Sequence, residues 1–559
     1  MARQLRTGSV PSLTLLALFC MLAFGSLASA VDAGYTSARV AGTFPPERDN
    51  NPFAPVPADV PSKTTTTSAL YDAVVPSQRA AVIAATSNRL SRYRIEAALR
   101  PGAPDRPGVI SGSVDLDFVN NTESALNSIY FRLYANAVTY AEGDLVVHSA
   151  SIMGAPTRFE VSVENSVLRV PLAAPLPSGD STNVTLSFTA TVPVQPRESY
   201  GIFAIQPGSG TWALAHWFPL LAGVDESGWN LEPVSVNGDP IFSNSALFDV
   251  SLTAPAAMAL VTSGHLTGSE PTGGNVRRHF IAGPVRDFTI VAGDDFTFTS
   301  RQVGATVVTS FYHPDDAAAG ARVLEYAVRA MTLYSRLYGT YPYQELNLAE
   351  VSLRGAAGVE FPKLLFIGDN LYAGSSVDDP HYLEFVIAHE VAHQWWYGVV
   401  GNNQYVHAFL DEGLAEYDST IVYFTHQYDG SFARKQFDRS IKLWYFNTLF
   451  TSGDAIVDEP TDEFPNEGSY GAIVYAKAAL GFDAIHTAIG DDAFNRGLRA
   501  YYERNRFEIA TPSDLRAAFE EASEKNLGDL WQHWFETAGA HQDFTEADYL
   551  RLQEQLSAS

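Results

Sequence analysis

The sequence predicts a multidomain β + α protein: an N-terminal all-β domain of saddle or sandwich type, then an α+β domain whose C-terminal part is helical. Two changes of texture point to it. From Tyr93 to about Ser310, short stretches alternate with period two and are broken by Gly, Pro, Asn and Asp, most clearly at 114–118, 159–163, 186–192 and 248–252. After about Phe311 the period lengthens, and Leu324, Ala327, Met331, Tyr334 and Leu337 fall on one helical face. A length of 559 residues, 46% of them hydrophobic, leaves room for several cores at ~150 residues per domain.

Taken in order, residues 1–30 read as a signal peptide. Arg3 and Arg6 precede an apolar run over 13–24, and Ala28, Ser29 and Ala30 offer small residues for cleavage before Val31. That run is short for a transmembrane helix, and no other segment reads as long and apolar enough to cross a bilayer. The expectation is an exported protein, secreted, periplasmic or at the cell surface, with no stable membrane insertion after cleavage. Cys20 is the only cysteine and lies inside this segment, so the mature chain has neither disulfide nor thiolate, and any metal must be held by His and carboxylate. Residues 31–92 read as a Pro/Ser/Thr-rich linker, partly disordered, through Pro45, Pro46, Pro55, Pro57, Pro61 and the threonines at 64–67. Residues 93–310 form the β domain, with glycosylation sequons at Asn120 and Asn183.

The second domain spans 311–559. In it a strand pattern at 346–351 leads into a Gly/Ala loop and Glu360. Asp379 and Pro380 resemble an N-cap and first helical residue, opening a helix through His389 and His393 to about Gly398. A second helix is expected from near Phe409, and Thr511–Pro512–Ser513–Asp514 reads as a capping box. Thirty-six Lys and Arg against 63 Asp and Glu give a net charge of −27. Such a surface repels phosphate backbones, which excludes nucleic acid as a partner; the charge reads first as solubility of an exported protein and second as a weak preference for basic substrates.

The chemistry is concentrated in His389-Glu390-Val391-Ala392-His393. Residues four apart on a helix share a face, so the two imidazoles can reach one zinc ion while Glu390 leans over the open coordination position to take a proton from water. Composition alone yields only about 0.02 chance matches to this pattern in such a chain. Two ligands do not make a stable site. Eighteen residues beyond His393, the segment 410–417 offers Glu412 as the third ligand, and Glu416 one turn on could orient a histidine. One zinc ion per chain is the expected cofactor, chosen from the ligand type.

His-Glu-x-x-His followed after eighteen residues by Glu in Leu-Asp-Glu-Gly-Leu-Ala-Glu, with Gln394-Trp395-Trp396-Tyr397-Gly398 beside it, resembles the gluzincin zinc metallopeptidases of the aminopeptidase N and leukotriene hydrolase family. The resemblance implies a β domain ahead of a thermolysin-like catalytic domain. It further implies that Tyr475, in Val474-Tyr475-Ala476-Lys477, supports the oxyanion, and that Tyr470 is a second substrate-side tyrosine. Loss of an oxyanion donor costs about 10²–10³ in turnover. The family's Gly-x-Met-Glu-Asn loop corresponds to Ala357-Gly358-Val359-Glu360-Phe361, which keeps the glutamate that binds a substrate's α-amino group and places Gly358 in the stretch that pairs with the peptide backbone. The chain departs from the family at His216-Trp217-Phe218-Pro219, where Gln-Phe-Glu-Pro is usual, and at Gly238-Asp239-Pro240, a reduced form of a longer motif. It also stops soon after residue 539, short of the large helical domain of longer members.

Three functions compete. The leading one is an exported zinc aminopeptidase acting on peptides. A zinc endopeptidase or other metallohydrolase on the same scaffold is favoured by the altered loop, and a non-catalytic cell-surface module is the third. The sequence is silent on oligomeric state and on the preferred N-terminal residue.

Overall fold

A computed structural model describes residues 65–557, apart from 103–105, 141–142, 197–198, 226–227, 240 and 374–378. The expected signal peptide, Cys20 and the first half of the expected linker lie outside the described residues.

The period-two stretches become strands with one buried face. In Ser91–Arg100 the residues Tyr93, Ile95, Ala97 and Leu99 point inward. This strand sits inside an eight-stranded sheet, antiparallel to Gly108–Val119 and parallel to Ala246–Pro255, with Ile95 opposite Val114 and Val250. Two four-stranded sheets pack with it, so the first unit is all-β as expected. Asn120 is fully buried, and its Nδ2 donates to the carbonyls of Ser124, Leu176 and Pro177, so this sequon presents no free amide.

The reading of 31–92 as a linker needs correction where it is described. Thr67–Leu70 and Pro76–Thr86 are helices, and Leu70, Tyr71, Val74 and Val82 join the core. Pro76 occupies the first helical turn, where its missing N–H costs nothing. The Val75 N–H donates to Pro342 O, and Val74 bridges Tyr343, which ties the segment to the second unit. Composition alone does not register apolar side chains that find a groove.

The second unit is built on a five-stranded sheet ordered Thr297–Val303, Thr306–Tyr312, Glu345–Val351, Leu364–Gly368 and Gly358–Val359, so its sheet begins ahead of residue 311. Gly358–Val359 is an edge strand, antiparallel to Leu364–Gly368. Helix Ala317–Leu337 buries Leu324, Ala327, Met331 and Tyr334 against this sheet and the motif helix, and only Leu337 of its predicted face stays half-buried. The motif helix is shorter than predicted, Tyr382–Ala392. Beyond it the chain folds back, with the N–H of Gly398 on His393 O and that of Val400 on Trp395 O. Trp395 and Trp396 are buried there, their indoles donating to Gly339 O and Asp418.

Helices fill the C-terminal part, and Thr511 and Asp514 form the expected capping box. The helical run Glu467–Ile489 is, against the sequence reading, long and apolar enough to cross a membrane by length and composition, with a mean hydropathy of 1.2. In this fold most of that run is buried inside the protein, as a core helix, and Gly471–Lys477 within it is π-wound and carries Tyr475.

Candidate metal centre and active site

His389 and His393 project from adjacent turns at the end of the motif helix, with their Nε2 atoms 3.0 Å apart. Glu412 opens the helix Glu412–Tyr417 and places Oε2 3.2 Å from each of those nitrogens. Zinc bonds of ~2.0–2.1 Å at tetrahedral angles set donor atoms about 3.3 Å apart, so the triangle fits the ion. The donor chemistry fits as well. Two neutral imidazole nitrogens facing one another and a carboxylate repel unless a cation lies between them.

The outer nitrogens are also placed. His389 Nδ1 lies 3.1 Å from Glu416 Oε2, and His393 Nδ1 lies 3.2 Å from Trp396 O, which leaves both Nε2 atoms turned to the centre. Burial lowers the affinity of both imidazoles for protons, but Glu412 and Glu416 outweigh it for His389, and Glu360 and Glu412 carry His393 up to about 10. Glu412 is held below the usual carboxylate range, because the two histidines outweigh its burial.

Glu390 is 5% exposed, and its Oε2 meets no hydrogen-bond partner among the described residues. Burial, with Glu360 and Glu412 nearby, pushes this carboxyl up to about 8 against the pull of the histidines. The side chain rests against Gly358, where a Cβ would lie 2.5 Å from its Cδ and Oε1. Gly358→Ala is therefore expected to displace Glu390 and cut kcat/KM about 10²-fold at unchanged metal content, checked by steady-state kinetics with metal analysis.

Tyr475 donates its hydroxyl to Glu412 Oε1 at 2.5 Å, and its ring runs parallel to His389 at 6.1 Å. Burial keeps the phenol neutral well above its ordinary pKa. Tyr470 packs edge-on to Tyr475 at 5.9 Å and against Gly238, where a Cβ would come within 2.3 Å of the ring. All eight residues singled out from the sequence line one cleft of about 250 Å³: Gly358, Glu360, His389, Glu390 and His393, and then Glu412, Tyr470 and Tyr475.

Several residues of the cleft were not anticipated. Asp239 reaches in from the β unit and lies with Glu360 and Glu412 in a cluster of carboxylates within 4.8 Å of one another. Its loop is anchored by Asn237, whose Nδ2 donates to Thr461 O and Phe464 O of the second unit. The sequence registered Gly238-Asp239-Pro240 only as a shortened motif. His216, at the other departure from the family pattern, does not line the cleft. It is buried, bonded through Nδ1 to the Tyr140 hydroxyl at 2.5 Å, and packs edge-on to Phe361 behind Glu360. Gln394 clamps the same loop: its Oε1 accepts from Lys363 N and Tyr341, and its Nε2 donates to the carbonyls of Glu360 and Phe361. Gln404 donates to both Glu360 and Asp411, at 3.3 and 2.6 Å.

A β unit followed by a sheet-and-helix unit, with His389, His393 and Glu412 converging beside Glu390, defines the gluzincin class of zinc metallopeptidase. Residues 322–534 match the Peptidase family M1 domain. Over that stretch the chain is similar to the aminopeptidase N family of the gluzincins. Aminopeptidase M1-A of Oryza sativa subsp. japonica is 22% identical over 456 residues, covering 78% of this chain and 49% of the relative. Aminopeptidase N of Streptomyces lividans is 27% identical over 205 residues, 36% of this chain and 24% of that protein. The chain thus spans about half the length, or less, of these curated relatives. Among solved structures, an M1 zinc metallopeptidase from Deinococcus radiodurans has the same fold, with a TM-score of 0.58 at 20% identity over 80% of this chain and 94% of that one. A mutant of the Deinococcus enzyme has been solved with a Tyr-Ser-Ala substrate bound.

Proposed function

We propose that this protein is a zinc aminopeptidase that removes N-terminal residues from peptides. The observation that carries the reading is the pair of carboxylates, Glu360 and Asp239, set beside the His389, His393 and Glu412 centre. Carboxylates set into a cleft select an ammonium group, and an ammonium one residue from the cleaved bond is what defines an N-terminal substrate.

Zinc held by His389, His393 and Glu412 supplies a Lewis acid that polarises a carbonyl and acidifies water. Glu390 accepts the proton of the attacking water and returns it to the departing amine, a task suited to a carboxyl pushed up to about 8. Tyr475, kept neutral, turns its hydroxyl from Glu412 to the carbonyl oxygen as charge gathers there. Gly358–Val359 is the outer strand of its sheet, with no strand on its other side among the described residues, so an extended peptide can add there as a further strand.

The test compares matched peptides with free and N-acetylated termini. Cleavage restricted to the free form is expected, whereas equal cleavage of the acetylated form assigns an endopeptidase instead. Export is part of the proposal, supported by the charge and apolar pattern of residues 1–30, and N-terminal sequencing of the mature protein should begin at Val31.

A further inference from the structure

We propose that Arg286, a residue of the β unit, is a positioning residue for the metal ligand His393: it fixes the chain reversal whose backbone holds that imidazole. The inference needs the zinc centre but not the choice of substrate, so its failure leaves the aminopeptidase reading standing. His393 caps the end of the motif helix, and the residues after it decide how its ring sits. Its Nδ1 lies 3.2 Å from Trp396 O, and its own carbonyl accepts the Gly398 N–H at 2.8 Å, so both ends of the residue are tied to one reversal. Within that reversal Tyr397 has a φ of 110°, which side-chain-bearing residues rarely adopt and which persists only where the surroundings enforce it.

Arg286 supplies that enforcement. It follows the strand Asn275–Val285 and is 1% exposed. Its Nε donates to Tyr397 O at 2.7 Å, and its Nη2 to Val399 O at 3.4 Å and Glu508 O at 2.6 Å. Nη1 donates to Ser243 O at 3.0 Å, and the Ser243 hydroxyl donates in turn to Arg286 O at 2.8 Å, which anchors the residue in the β unit. One planar fork therefore holds the carbonyls on both sides of Gly398. From the other side, the N–H of Phe507 donates to Val399 O and that of Gly401 to Glu508 O.

The choice of a cation here needs a reason. The bonded partners of Arg286 are neutral carbonyls, and an apolar side chain of like volume would fill the space at less cost if packing alone were required. Burial brings the guanidinium down to about 10, so it is still charged at neutral pH. Gly401 keeps the space open, since a Cβ there would lie 2.0 Å from Arg286 Cζ. What the fork provides that packing cannot is direction: it aims the carbonyls of Tyr397 and Val399, and with them the peptide planes that leave Trp396 O facing His393.

The experiment uses the full chain and reads metal binding rather than turnover. Zinc Kd is measured by competition with a chelating dye, and the visible spectrum of the cobalt-loaded protein reports the ligand arrangement. Arg286→Met should weaken zinc binding at least about tenfold and shift the cobalt bands, as losing an outer partner of a metal ligand does. Arg286→Lys keeps the charge but offers one ammonium in place of a fork, and should fall between that variant and the wild type. Gly401→Ala pushes the guanidinium aside without removing it and should act in the same direction as Arg286→Met. Leu252→Ala, a fully buried truncation elsewhere in the β unit, measures what lost stability does by itself and should leave both readouts unchanged. If Arg286→Met does not fold, Arg286→Lys and Gly401→Ala decide. Zinc Kd within about twofold of wild type in those two, with an unaltered cobalt spectrum, overturns the proposal and leaves Arg286 a staple between the units. An equal loss of affinity in Leu252→Ala overturns it as well.

Discussion

Glutamine at position 390 is expected to give a protein that folds, binds its metal and hydrolyses almost nothing. The amide matches the carboxylate in shape, so it keeps the contact with Gly358. It breaks no hydrogen bond at Oε2, where the described structure has none. What it removes is the group placed to take a proton from water and hand it to an amine. General acid–base catalysis contributes about 10²–10⁴, and one residue serving both transfers belongs at the upper end. Metal analysis should show wild-type zinc content while kcat on a free tripeptide falls by about 10³-fold or more. Turnover near the wild-type value would take Glu390 out of the base role and leave the centre without an identified proton carrier. Gly358→Ala should fall between these two states, since it displaces the same carboxylate without neutralising it.

The contrast between these residues shows what was legible in the sequence. His389, Glu390 and His393 follow from helical periodicity alone, because residues four apart share a face whatever surrounds the helix. Glu412 needed a second helix to return to the first, and a fixed spacing stood in for that geometry. Asp239 could not be read in this way. It enters the cleft where Asn237 pins a loop of the β unit to Thr461 and Phe464, a contact between segments more than two hundred residues apart in the chain. The end of the motif helix at Ala392 was missed for a related reason. Residues 393–400 contain no proline to mark a stop, yet backbone bonds from Gly398 to His393 and from Val400 to Trp395 turn the chain and bury two tryptophans. The helix at Pro76–Thr86 was hidden by a proline-rich context, although its proline sits where a helix accepts one.

Removing the metal is expected to stop turnover, lower the melting temperature and draw protons into the site. The three donor atoms lie 3.0–3.2 Å apart, and the surrounding carboxylates Glu360, Glu390 and Asp239 add negative charge. Without a divalent ion that charge must be met by protons. Burial disfavours them, but the carboxylates prevail, carrying His393 to about 10 and His389 well above its ordinary value. At pH 7 the metal-free imidazoles therefore hold protons, and zinc has to displace them. Binding should release roughly one to two protons per ion, read with an indicator dye in weak buffer, and apparent affinity should rise with pH through the neutral range before levelling near pH 10. An ion present at a thousand times its Kd contributes ~4 kcal/mol, so chelation should lower Tm by roughly 10 °C. Zinc uptake with no proton release, or a melting temperature indifferent to chelator, would mean that these three side chains do not share one ion.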